Sequence, residues 1–145
     1  MSSNKSADAH ILLVDDNREG LTARKSVLEE LGFKIVTATS AHVALDLFGR
    51  HAFDLVVTDY KMPDMSGIEF IQKIRKSKPA IPVILISGFV DVLGLDSSTT
   101  GADIVMAKNA NEVNHLVRSV TRLLNRKRPP GNAGGVAAKR QRKTG

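Results

Sequence analysis

The sequence predicts an α/β protein built on one five-stranded parallel sheet, doubly wound, with helices on both faces. Three observations predict it. Short runs rich in β-branched residues alternate along the chain with amphipathic helical segments. The runs are continuously apolar, as strands buried on both faces must be. Acids, a hydroxyl and a lysine stand just past the ends of several runs, the edge at which open α/β sheets bind their ligands.

The elements follow in order. Ile11-Leu12-Leu13-Val14 is the first strand. Asp16, followed three residues later by Glu19, offers a capping box for the first helix, and Gly32 a left-handed residue to end it. Lys34 to Ala38 is the second strand. A helix from Ser40 to about Gly49 then buries Val43, Ala44, Leu47 and Phe48. Leu55-Val56-Val57-Thr58 is the third strand, and Ser66 with Glu69 opens the third helix by the same capping pattern. Val83-Ile84-Leu85-Ile86 is the fourth strand. The helix after it, from about Asp91 to Thr100, holds Gly94 and Ser97-Ser98-Thr99-Thr100, poor or middling helix formers. It is expected to be short, distorted or mobile. Ile104-Val105-Met106 is the fifth strand, and Asn109 with Glu112 opens the last helix. There Val113, Leu116, Val117, Val120, Leu123 and Leu124 make one face at a 3.6-residue period. Short connections and right-handed crossovers reduce the possible topologies to the flavodoxin-like (βα)5 arrangement.

Charge separates the body of the chain from its tail. The net charge is +6, yet seven of the 21 basic residues lie from Arg126 onward with no acid among them. That leaves fourteen basic against fifteen acidic residues before Arg126, a near-neutral body. We therefore expect a disordered lead over residues 1–9, a folded domain over 10–125 and a disordered basic tail over 126–145, where Pro, Gly and Ala precede a last basic run. The tail is either a solubilising extension or linker, or a means of electrostatic attachment to nucleic acid or an acidic partner. Without aromatic residues for base stacking, it should attach to nucleic acid weakly and without sequence preference. Cysteine is absent, which excludes disulfides, zinc-thiolate sites and cysteine nucleophiles. No apolar run approaches the roughly 20 residues that span a bilayer, and Met1 to Ala9 lacks an apolar signal core. A soluble, cytoplasmic protein with no membrane contact is expected.

The chemistry belongs at the carboxyl ends of the strands. Asp15 and Asp16 follow the first strand, Asp59 the third, Ser87 ends the fourth and Lys108 follows the fifth. Three carboxylates crowded together call for a divalent cation, and hard oxygen donors favour Mg²⁺ or Mn²⁺. Lys108 adds a second positive charge, and Ser87 a hydroxyl able to bond a phosphoryl oxygen. Phosphoryl transfer needs mainly positioning, charge compensation and an in-line oxygen nucleophile. Such a site can move a phosphoryl group onto one of its own carboxylates.

Ile11-Leu12-Leu13-Val14-Asp15-Asp16-Asn17 and Asp59-Tyr60-Lys61-Met62-Pro63-Asp64-Met65-Ser66-Gly67, with Ser87-Gly88 and Lys108, resemble the signature segments of response-regulator receiver domains. The resemblance runs from about His10 to Leu124. It implies that Asp59 is the phosphoacceptor, loaded by a histidine kinase or phosphotransfer protein. It also implies that Asp16 and Asp59 ligate Mg²⁺ directly, Asp15 through water and Lys61 through its backbone carbonyl. Ser87 would follow the phosphoryl group and Lys108 pair with it. This chain departs from the pattern in carrying Asn109, where the family usually has a proline, and Val105, where it usually has an aromatic residue. The loop after the fifth strand is thus expected to be shaped differently, and the output partner is left open. Lys61 and Phe89, both bulky, would flank the path of an attacking water, so a phosphorylated state lasting minutes or longer is expected.

Two other classes compete with a phosphorelay switch. An aspartate-based phosphatase would want a general acid two residues after Asp59, where Lys61 stands. A receiver fold kept as an unphosphorylated interaction module would bind neither Mg²⁺ nor a phosphoryl mimic.

Overall fold

The strand runs fold as their composition dictates. In the computed structural model, which describes residues 8–88, 94–109 and 111–127, they form β1 (His10–Val14), β2 (Lys34–Ala38), β3 (Leu55–Asp59), β4 (Val83–Ser87) and β5 (Ile104–Ala107). All neighbouring strands are parallel, in the order β2-β1-β3-β4-β5. This is the flavodoxin-like order, in which the winding reverses between β1 and β3. The central strands β3 and β4 are buried along their whole length, as their unbroken apolar runs require.

Alternation along each strand divides the core into two layers. Ile11, Leu13, Leu55, Val57, Ile84, Ile86 and Met106 face one side. There they meet Leu21 and Leu28 of α1 (Arg18–Glu30) and Leu116, Val120, Leu123 and Leu124 of the last helix, α5 (Glu112–Lys127). On the opposite face Leu12, Val14, Val56, Val83 and Leu85 pack against Ala41 and Ala44 of α2 (Ala41–Arg50) and Phe70, Ile71 and Ile74 of α3 (Gly67–Ser77). Within α2, Val43 is exposed at 47%, against expectation. The helix is rotated so that the small side chains of Ala41 and Ala44 touch the sheet, with Leu47 and Phe48 only partly buried.

Helix starts follow local chemistry, with two shifts. Ser66 caps α3 as expected, accepting from the backbone N–H of Glu69, and Ser40, expected as the first residue of α2, is its cap and accepts from Val43 N–H. The cap of α1 is Asn17 and not Asp16. Its side chain accepts from Gly20 N–H at 3.1 Å, and Gly20 has no side chain to complete a capping box. At α5 the Asn109 side chain accepts from Asn111 N–H, while the Glu112 carboxylate turns to Arg24 instead of back to its own helix. Gly32 ends α1 at φ 97°, donating to the Glu29 carbonyl.

Of the helix expected over 91–100, the described residues 94–100 form the four-residue α4 (Ser97–Thr100), capped by Asp96, which with Thr99 forms a reciprocal capping box. Gly94, at φ 63°, and the extended Asp96 stop it from starting earlier. Residues 91–93, residues 1–7 of the expected 1–9 lead and residues 128–145 of the expected 126–145 tail lie outside the described residues. Ala9 of the lead, by contrast, is buried and accepts from Lys34 N–H, and α5 takes in Arg126 and Lys127 of the tail. Among the described residues no helix is long and apolar enough to cross a membrane.

Candidate functional site

Sheet alternation brings the predicted residues together. Asp15 continues the face of Ile11 and Leu13, Asp59 that of Leu55 and Val57, and Lys108 that of Met106, so all three emerge on the α1/α5 side. Asp15 still joins the β1–β2 ladder through its N–H, which donates to the Ala38 carbonyl, and this fixes the start of the turn. Asp59 is the last residue of β3, and Tyr60 N–H donates to the Ile86 carbonyl of β4 at 2.9 Å. The site thus opens at the point where the strand order reverses, between the carboxyl ends of β1 and β3.

Asp15, Asp16 and Asp59 each offer a carboxylate oxygen within 4.8 Å of the others. Asp15 and Asp59 are buried, at 1% and 6% exposure, whereas Asp16 faces solvent. Because the helix cap falls on Asn17, the Asp16 carboxylate is left for the cluster. Three hard oxygen donors with one open side fit Mg²⁺ or Mn²⁺. Lys108 Nζ lies 3.1 Å from Asp59 Oδ2 and 3.6 Å from Asp15 Oδ2, bridging the two buried acids. Its backbone N–H donates to the Ser87 carbonyl, so β4 and the β5–α5 loop meet here without a proline after the lysine. Ser87 itself is fully buried at the end of β4, one residue past the register partner of Asp59. Lys61 is exposed, two residues beyond Asp59 in the connection to α3. Phe89, expected beside it, lies outside the described residues.

The two buried acids differ in charge state. Burial raises the Asp59 pKa, the Asp15 charge raises it further, and Lys108 offsets only part, leaving it at about 6. For Asp15 burial also pushes upward, but hydrogen bonds from Arg24 and from Asn17 N–H, with Lys108 nearby, hold it below the usual carboxylate range. The acid poised near neutrality is therefore Asp59.

Arg24 was not singled out from the sequence, and Glu112 was expected only as the capping acid of the last helix. Arg24 is 6% exposed and donates through one guanidinium nitrogen to Asp15 Oδ2 at 2.7 Å and through Nε to Glu112 Oε2 at 2.5 Å. A signal existed: Arg24 falls on the buried stripe of α1 between Leu21 and Leu28, where a charged residue needs a partner.

The β3–α3 connection is held from both ends. Gly67 N–H donates to the Tyr60 carbonyl at 2.6 Å. Asp64 caps α2, accepting from the N–H groups of Ala41 and His42 and pairing with His42 Nδ1 at 2.6 Å. Against the upward push of burial, these hydrogen bonds, led by the His42 side chain, pull the Asp64 pKa down to about 2. Its stabilisation is present in full above the unfolded carboxylate pKa near ~3.9 and is lost as pH falls through about 2. Asp64→Ala should cost about 1 kcal/mol at pH 7, as loss of a helix cap does, and urea unfolding at pH 7 and pH 2 should show the difference shrinking in acid.

Residues 11–121 match the response regulator receiver domain family. Among curated proteins, the chain is 33% identical over 118 residues to the alkaline phosphatase synthesis transcriptional regulatory protein PhoP of Bacillus subtilis, covering 77% of this chain and 48% of PhoP. It is 37% identical over 78 residues to the virulence sensor protein BvgS of Bordetella pertussis, covering 54% of this chain and 6% of BvgS. The chain thus spans about half the length of PhoP and a small part of BvgS. Among solved structures, a CheY-like receiver domain protein from Methanospirillum hungatei superposes with a TM-score of 0.76 at 29% identity, over 82% of this chain and 95% of that one. The response regulator TrrA of Thermotoga maritima, solved in complex with Mg(2+)-BeF, gives 0.67 at 33% identity, over 77% and 98%. Sheet order, the acid cluster between β1 and β3 and these likenesses agree, and the chain belongs to the response regulator receiver domain family.

Proposed function

We propose that Asp59 accepts a phosphoryl group from the phosphohistidine of a histidine kinase or phosphotransfer protein, and that the domain works as a Mg²⁺-dependent signalling switch. The observation that carries this reading is the Asp59 carboxylate itself. It sits in the switch-point crevice, 3.1 Å from Lys108 Nζ and within 4.8 Å of two further acids. An Asp59 oxygen attacks phosphorus as the P–N bond breaks, and the electron pair leaves with the imidazole nitrogen. Lys108 lies where the charge of the transferred group would develop, and the buried Ser87 hydroxyl is the candidate donor to a phosphoryl oxygen. Asp16 and Asp59 would hold the cation directly, with Asp15 through water and Lys61 through its carbonyl. When bound, Mg²⁺ compensates the charge of the acids and of the phosphoryl oxygens. The acyl phosphate formed on Asp59 alters the surface that a partner reads, and only a partner that discriminates the two states responds.

The experiment is incubation with a small acyl phosphate and Mg²⁺ followed by intact mass. Wild type should gain one phosphoryl mass, slowly reversible over minutes or longer, and Asp59→Asn none. Labelling of the variant, or none in wild type, would defeat the assignment; fast turnover of phosphate esters would favour a phosphatase instead.

A further inference from the structure

Arg24 has no part in the chemistry proposed above, yet it is a buried cation bound to that site. Its guanidinium joins Asp15, at the end of β1, to Glu112, the first residue of α5 and four positions after Lys108. Both Asp15 oxygens are engaged: Oδ1 accepts from Asn17 N–H at 2.9 Å, and Oδ2 takes Arg24 at 2.7 Å with Lys108 at 3.6 Å. A divalent ion entering the cluster therefore meets three acids, the Lys108 ammonium and a second fixed cation. Glu112, with its side chain 13% exposed, faces the far side of that guanidinium and cancels its charge. The pair is shielded from solvent, so screening by water and salt is weak.

We propose that Glu112 is a positioning residue that sets the divalent-cation affinity of the Asp15–Asp16–Asp59 cluster by neutralising Arg24. With Glu112 charged, the Arg24–Glu112 pair is neutral overall, and Arg24 serves only to orient Asp15. Without that charge, Arg24 becomes a net positive charge in contact with one of the acids and repels an incoming cation. The same link ties α5 to α1. This inference rests on the Mg²⁺-binding reading above.

Calorimetric titration with Mg²⁺ alone tests it in four proteins: wild type, Glu112→Gln, Glu112→Asp and the double variant Arg24→Gln/Glu112→Gln. Glutamine still accepts a hydrogen bond from Arg24 Nε, so Glu112→Gln removes charge while keeping the contact. It should weaken the Mg²⁺ Kd by about tenfold. Glu112→Asp should stay near wild type, and the double variant should recover most of the loss because the unbalanced cation is gone. A purely structural contact would leave the Kd of Glu112→Gln within twofold of wild type, and that result overturns the inference. So does a double variant as weak as Glu112→Gln, since the effect would then not pass through Arg24. No Mg²⁺ binding by wild type removes the metal reading and this inference together, whereas normal wild-type binding with an unchanged Glu112→Gln removes only the inference.

Discussion

Asp59→Asn should raise the thermal stability of the metal-free protein at pH 7, even as it abolishes phosphoryl labelling. The wild-type carboxylate is 6% exposed and shares a 4.8 Å cluster with two other acids, one of them also buried. Burial and Asp15 lift its pKa to about 6. The sign follows from proton linkage. The folded pKa lies above the unfolded value near ~3.9, so the folded state binds the extra proton between them. Wild-type stability must then fall as pH rises from about 4 through about 6, and stay lower above. Asparagine does not ionise and escapes this loss. The expected gain at pH 7 is about 1–3 kcal/mol, the lower end applying if the amide sits poorly beside Lys108. Thermal unfolding of both proteins between pH 4 and pH 8 should give curves that diverge upward through this window. Added Mg²⁺ should narrow the gap by stabilising wild type more than the variant. Parallel curves would mean that Lys108 already balances the acids.

Gly67→Ala should have the largest effect on folding of any single methyl addition considered. Gly67 has an ordinary φ, so the demand is for space. A Cβ there would collide with the Asp59 carbonyl oxygen and lie 2.8 Å from Leu85 Cδ1 and 3.0 Å from Tyr60 Cα. Two of these are backbone atoms of β3 and its exit, and Leu85 is fully buried in β4, so little can give way. We expect a loss of about 3 kcal/mol in urea unfolding. The slower phosphoryl labelling that goes with it would reflect the displaced Asp59 backbone. Gly49→Ala is the control. Nothing lies within 4 Å of a Cβ at that helical position, so the same substitution should stabilise by up to about 1 kcal/mol. A Gly67→Ala protein as stable as wild type would show that α3 can move away from the sheet at little cost.

Gly67 also shows what kind of information the sequence carries. Its offset from Asp59 is a covalent spacing, and spacings, strand composition and alternation are local properties. Hence the five strands, the cap at Ser66 and the convergence of Asp15, Asp59 and Lys108 were legible before any coordinates. What escaped depends on partners distant in the chain. Arg24 looks like one more helix surface charge until Glu112, 88 residues away, is brought beside it. Val43 satisfies the helical period as well as Ala41 does, and only the closeness of α2 to the sheet selects the smaller residue. Asp16 and Asn17 are both good caps, and the choice falls to Asn17 because Asp15 binds the Asn17 N–H and sets the turn. At α4 the weak propensities were legible, but not where the helix would start, which the backbone at Gly94 and Asp96 decides.

The four-residue α4 makes the two flanks of the sheet unequal in mechanical terms. Shifting α3 would tear Phe70, Ile71 and Ile74 out of the interior, whereas α4 itself contributes only the Thr100 side chain to it. Among the described residues its ties beyond its own turn are the buried Leu95 just before it and the Ser97 hydroxyl, which donates to the Asp103 carbonyl. Deformation should therefore concentrate on the β4–β5 margin, where a rearrangement leaves the rest of the scaffold undisturbed.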